Sequence, residues 1–239
     1  MSELRRAVAA EAYGTFLLTL VGPGTITALS YRGFSPVAGL GFIGLAHGLA
    51  LIVAFYSIGH ISGAHINPAV TISAWATHRL EKEKVAPYIA AQLVGATVAA
   101  FLLLVIWSSS PSAFRVCCNG YNPTYLGDTL PGADFGQVAA LVAEIIATAI
   151  LVFTIFGATD KKANQSFGGL AIGLLLAAII WVFGPISGAS LNPARTLGPT
   201  IASLTFSTVP LSTLWIYIVG PVLGGLLGAF LYDVVKPEQ

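Results

Sequence analysis

Ser62-Gly63-Ala64-His65-Ile66-Asn67-Pro68-Ala69-Val70 and Ser187-Gly188-Ala189-Ser190-Leu191-Asn192-Pro193-Ala194-Arg195 are one phrase written twice, about half of the 239-residue chain apart. Asn is a favoured helix N-cap and Pro a favoured first helical residue, so each copy predicts a turn that opens into a helix. A duplicated turn-plus-helix-start inside an apolar chain predicts an internal structural repeat, and membrane repeats of this kind meet near the bilayer midplane.

The chain is apolar enough for that setting. Hydrophobic residues make up 56% of it and charged residues 9%, with a mean hydropathy of +0.83. A soluble domain carries roughly 25% charged residues. The net charge of +1 implies neither nucleic acid nor an acidic partner. Arg5 and Arg6 precede an apolar run too long for a cleavable signal peptide. Cys117 and Cys118 are adjacent and match no zinc or redox spacing, so no metal or cofactor is expected. They read as incidental loop residues or as a vicinal or intersubunit disulfide.

Six stretches are long and apolar enough to span a bilayer, roughly 7–29, 37–58, 85–107, 136–158, 167–185 and 211–234. After the second and the fifth, a short apolar helix starts at Asn67 or Asn192. About ten helical residues rise roughly 15 Å, half of the hydrocarbon thickness. The expected fold is therefore an all-α membrane domain over 1–239. It has six transmembrane helices and two re-entrant half-helices in two repeats, approximately 7–107 and 136–234. Three crossings reverse the chain, so the repeats are inverted. Arg5, Arg6, Arg79, Lys82, Lys84, Lys161, Lys162 and Lys236 fall on one side, against Arg32 and Arg115 on the other, which predicts that both termini are cytoplasmic. Gly44 with Gly48, Gly169 with Gly173, and Gly220 with Gly224 and Gly228 have the four-residue spacing that lets helices approach closely in lipid.

Irregular backbone at membrane depth is tolerated only when buried in protein or lining a water-filled cavity. The segments before Asn67 and Asn192 are expected to present carbonyl oxygens to a narrow lumen. Each Asn caps its helix through its side-chain oxygen and keeps its amide NH₂ to donate to a passing water. The positive ends of both half-helix dipoles meet there and raise a barrier to cations and protons. Glu11 and Glu144 occupy matching places in spans one and four. They are expected to face the interior and to accept bonds from the re-entrant loops; a proton relay is the other reading.

The paired Asn67-Pro68-Ala69 and Asn192-Pro193-Ala194 motifs, in matched contexts, resemble the aquaporin (major intrinsic protein) family over essentially the whole chain. The resemblance implies a passive, non-enzymatic channel for water and small neutral solutes, a homotetramer with one pore per subunit, and no cofactor. It implies that Arg195 lines an outer constriction, joined by His47, Ile180 and Ala189. His47 has a second reading as a satisfied core histidine. The set is similar to that of some plant vacuolar, ammonia-permeable members, so ammonia is an expected second solute. Glycerol facilitators carry Asp and a basic residue where this chain has Thr196 and Thr200, and Tyr217 also fits water channels. His65 matches a pore-lining histidine near the cytoplasmic mouth; His60 is expected to pack in the loop and His78 to be solvated. Short termini resemble microbial members, so a plasma or inner membrane is expected, with a vacuolar membrane as the alternative.

Two other classes fit less well. Ser62 near His60 and His65 suggests an intramembrane serine protease, but the second copy has no histidine nearby and the glycine falls one residue too early (Gly59-His60-Ile61-Ser62). An ion-coupled transporter wants ionisable groups at the midplane, where this chain offers amides and backbone.

Overall fold

A computed structural model describes residues 2–35, 37–113 and 126–236, and these are helical apart from turns and short loops. Cys117, Cys118 and Arg115 lie outside the described residues. Six helices are long and apolar enough to cross a membrane. They are α1 (Glu3–Tyr31), α2 (Leu40–Ser62), α4 (Lys82–Ser108), α5 (Gln137–Thr159), α6 (Gly168–Ser187) and α8 (Ile216–Val235). The half-helices are α3 (Pro68–Ala76) and α7 (Pro193–Ser203).

The boundaries depart from the hydropathy pattern where local chemistry intervenes. α1 starts before its apolar run because Ser2 caps it, accepting from the Arg5 amide at 3.4 Å. The sixth span starts later than its apolar run, because Val209–Ser212 with Pro210 forms a tight 3-10 turn first. Hydropathy has no view of either event.

Close helix approach is made at glycine. A Cβ on Gly95 of α4 would lie 2.1 Å from the Ala12 carbonyl oxygen of α1, and one on Gly224 of α8 would lie 2.2 Å from that of Ile145 in α5. Ala12 follows Glu11 and Ile145 follows Glu144, so the two helix pairs are built on the same plan. Dispersion and Cα–H···O contacts, rather than hydrophobicity, hold such pairs in lipid. The polarity is correspondingly inverted: Glu11, Thr15, Gln92 and Glu144 are fully buried, whereas Val138 (75%) and Val234 (81%) on the outer surface are exposed. An apolar exterior around a polar interior suits a bilayer.

Candidate pore

The two re-entrant segments turn sharply where α2 and α6 end. Gly63 and Gly188 cap those helices in the left-handed region, at φ 89° and 81°. Ala64 (48°), Ile66 (42°), Ala189 (44°) and Leu191 (56°) also hold positive φ, which costs a non-glycine residue energy unless the surroundings impose it. The buried carboxylates impose it. Glu11 accepts from the Ser62 hydroxyl (2.6 Å), the His65 amide (2.9 Å) and the Ile66 amide (2.6 Å). Glu144 accepts from the Ser187 hydroxyl (2.8 Å), the Ser190 amide (2.9 Å) and the Leu191 amide (2.7 Å). Tyr88 donates to the Ser62 carbonyl at 3.0 Å and Tyr217 to that of Ser187 at 2.7 Å. Each carboxyl group thus gathers three donors of its own loop. Neither Tyr88 nor the anchoring use of Tyr217 was legible from the sequence, although their matched places in the helices after each repeat's loop offered a signal.

The repeats differ in their further supports. In the first, Gln92 donates to Glu11 at 2.7 Å and to the Thr71 hydroxyl at 2.9 Å. In the second, Thr196 bonds Ser190 and also reaches Thr129 at 2.8 Å, tying the loop before α5 to the half-helix.

Asn67 and Asn192 cap α3 and α7, accepting from the Ala69 amide at 2.9 Å and the Ala194 amide at 3.0 Å. Their amide groups are not simply open to the lumen. The Asn67 side chain donates to the Leu191 carbonyl and that of Asn192 to the Ile66 carbonyl, both at 2.8 Å. One amide hydrogen of each Asn is thereby committed across the repeats, and one remains. The carbonyls of Gly63, Ala64 and His65, and of Gly188, Ala189 and Ser190, carry no hydrogen bond among the described residues. They are free to face a lumen, whereas those of Ile66 and Leu191 each already accept one bond from an asparagine.

Both asparagines line a passage of about 30 Å³, together with His47, Ile180, Ala189 and Arg195. A space of that size holds about two waters. The sequence-selected residues are thus brought to one place. His65 lines the passage and also a vestibule of about 560 Å³ beside the last turn of α2. His60 does not pack in the loop: it lies in the last turn of α2 and is exposed. His78 is exposed beside Arg79, whose guanidinium pairs with Asp233 at 2.6 Å.

Arg195, 2% exposed, donates through Nη1 to the Gly127 carbonyl at 2.6 Å and through Nε to Nε2 of His47 at 3.4 Å. His47 Nδ1 meets the Ile43 carbonyl at 2.9 Å. A ring that donates from Nδ1 and accepts at Nε2 is neutral, with a single tautomer satisfying both bonds. His47 is therefore a satisfied buried histidine and a passage-lining one at once; the two sequence readings do not exclude each other. Nη2 of Arg195 takes no bond among the described residues. Next to Gly127, Asp128 is buried and accepts from the Ser203 hydroxyl of α7. Burial pushes its carboxyl up to about 7, against the pull of Ser203, Thr200 and Arg195. The sequence had no signal for this loop, which is remote from both motifs.

A model of the major intrinsic protein family matches residues 1–232. The chain belongs to this family. It is a channel and not an enzyme, an integral multi-pass membrane protein with the aquaporin fold. It is 40% identical over 236 residues to Aquaporin Z of Photorhabdus laumondii, covering 98% of this chain and 99% of that one. It is 37% identical over 258 residues to Aquaporin AqpM of Methanothermobacter marburgensis, with both chains fully covered. Among solved structures, the aquaglyceroporin from Plasmodium falciparum superposes with a TM-score of 0.83 at 25% identity, covering 98% of this chain and 97% of that one. A chain with that neighbour's fold is not assigned a solute by its fold; the residues along the passage have to do so.

Proposed function

We propose that this aquaporin conducts water in single file, also passes neutral ammonia, and excludes protons and ions. The observation that carries the reading is the meeting of Asn67, Asn192, Arg195, His47, Ile180 and Ala189 on one passage of about 30 Å³. The free amide hydrogens of the two asparagines orient a water so that its lone pairs face them and its own hydrogens point along the lumen. A proton wire through that water is broken. The N-terminal ends of α3 and α7 converge there and oppose a cation, as does Arg195.

Arg195, His47, Ile180 and Ala189 form the selectivity ring on the face opposite the termini. A histidine at position 180 would add a donor; Ile180 adds bulk without one, so one wall of the ring is apolar. Ammonia has one lone pair against water's two and loses less from the missing donor. The guanidinium and the half-helix dipoles reject NH₄⁺, so transport is of NH₃ and leaves a pH change behind. Thr196 and Thr200 in place of an acid and a base, with Tyr217 buried, disfavour glycerol. The functional unit is one channel domain of two repeats, assembled as a homotetramer in a plasma or inner membrane with both termini cytoplasmic. Most of its basic residues then face the cytoplasm.

Stopped-flow measurements on proteoliposomes, with water, ammonia, urea and glycerol compared in parallel, test this. Fast water and ammonia responses with slow urea and glycerol are expected. Fast water without ammonia-driven lumenal alkalinisation above protein-free vesicles removes the ammonia part. Water flux no faster than in protein-free vesicles removes the whole.

A further inference from the structure

The glycines of this fold do two different things. At Gly95, Gly224 and Gly228 an added Cβ would strike the backbone carbonyl of a neighbouring helix at 2.1–2.2 Å, so these glycines set the distance between helices. Gly22 of α1 is not one of them. A Cβ there would stand 2.3 Å from Nε2, 2.5 Å from Cδ2 and 2.6 Å from Cε1 of His47, and its three nearest heavy atoms all belong to that one ring. Real Cβ contacts are never so short; the edge of the imidazole occupies the place of the missing methyl.

From this we infer that Gly22 is a positioning residue of the channel: its bare Cα is the seat into which His47 withdraws from the lumen. The inference rests on the selectivity ring proposed above. His47 is held from two other sides, by the Ile43 carbonyl at 2.9 Å on its own helix and by Arg195 Nε at 3.4 Å. With a methyl at position 22 the ring cannot stay where it is. Away from α1, the space open to it is the narrow passage that it lines, which the displaced imidazole would constrict. The Nε2 that Arg195 uses would move with it. Gly22 thus keeps the bore open and fixes where the histidine's acceptor stands, without itself touching a solute.

The coupling can be measured on the full-length channel in proteoliposomes at equal reconstituted amounts. Gly22→Ala is expected to cut water flux about tenfold, within the range in which contacting residues couple. In a His47→Ala background the same substitution is expected to change water flux no further, because the ring it strikes is gone. An unchanged flux in Gly22→Ala overturns the inference. So does an equal loss in both backgrounds, which is the result of a glycine that merely spaces helices. If Gly22→Ala does not insert or fold, the double variant decides: recovery of folded, conducting protein supports the seat, and a second failure overturns it. The selectivity-ring reading fails separately, if Arg195→Val leaves urea and glycerol permeation unchanged; the dependence of the Gly22 effect on His47 is read in water flux alone.

Discussion

Asn67 and Asn192 each hydrogen-bond the backbone that immediately precedes the other. The Asn67 amide reaches the Leu191 carbonyl and the Asn192 amide reaches the Ile66 carbonyl, at 2.8 Å in both directions. Each asparagine caps its own half-helix with its oxygen and ties the other repeat with its nitrogen. The point where the repeats meet is therefore closed by side chains that also line the passage, so pore geometry and repeat docking are not separable.

Replacing Asn192 by Asp tests both roles. The carboxylate keeps the cap on Ala194 but loses the donor to the Ile66 carbonyl and places two acceptors face to face. Leaving a buried acceptor unmet costs about 1–3 kcal/mol. The negative charge also offsets the positive ends of the dipoles. Lower thermal stability in detergent and a measurable cation conductance in planar bilayers are expected. A correctly inserted variant with unaltered cation conductance counts against the dipole barrier.

Arg195→Val removes the donor to Gly127 and to His47 and widens the ring. Water flux is expected to survive, whereas urea and glycerol permeation rise and protons begin to leak. The Gly127 carbonyl loses its partner, at a stability cost on the order of 1–3 kcal/mol. Vesicle swelling assays with each solute, alongside a proton-leak assay with an entrapped dye, read all of these.

Ile180→His introduces a donor on the apolar wall of the ring and narrows it. Ammonia flux is expected to fall far more than water flux, read as lumenal alkalinisation against osmotic shrinkage in the same preparation. Equal reductions in both would show only that the bore is smaller.

Asp128 makes stability depend on pH in a defined direction. Its carboxyl moves from an ordinary value of 3.8 up to about 7 in the folded protein, because it is buried. Between those values the unfolded chain has released the proton and the folded chain still holds it, so stability falls as pH rises through that window. Below it the carboxyl is neutral in both states, and above it the loss is complete. The loss reaches at most a few kcal/mol. Asp128→Asn is expected to remove this part of the pH profile, so its melting temperature gains on that of the parent protein between pH 4 and 7 and holds its advantage above. Parallel profiles for the two proteins would show that Asp128 is not buried as described.

By itself, the sequence determined the family, the number and order of the spans and the half-helices. It could do so because those properties are local or repeated. Twenty apolar residues span a bilayer whatever they touch, Asn-Pro opens a helix wherever it stands, and a phrase written twice declares its own symmetry. The tertiary structure alone decided which groups the half-helices lean on. That Tyr88 and Tyr217 hold equivalent carbonyls, that Gln92 supports the first loop while Thr196 and Thr129 support the second, and that Gly127 receives Arg195 depend on distant segments meeting. The same holds for Gly22. In the sequence it is one of 26 glycines; its meaning appears only when an imidazole from the next helix fills the space that its side chain would need.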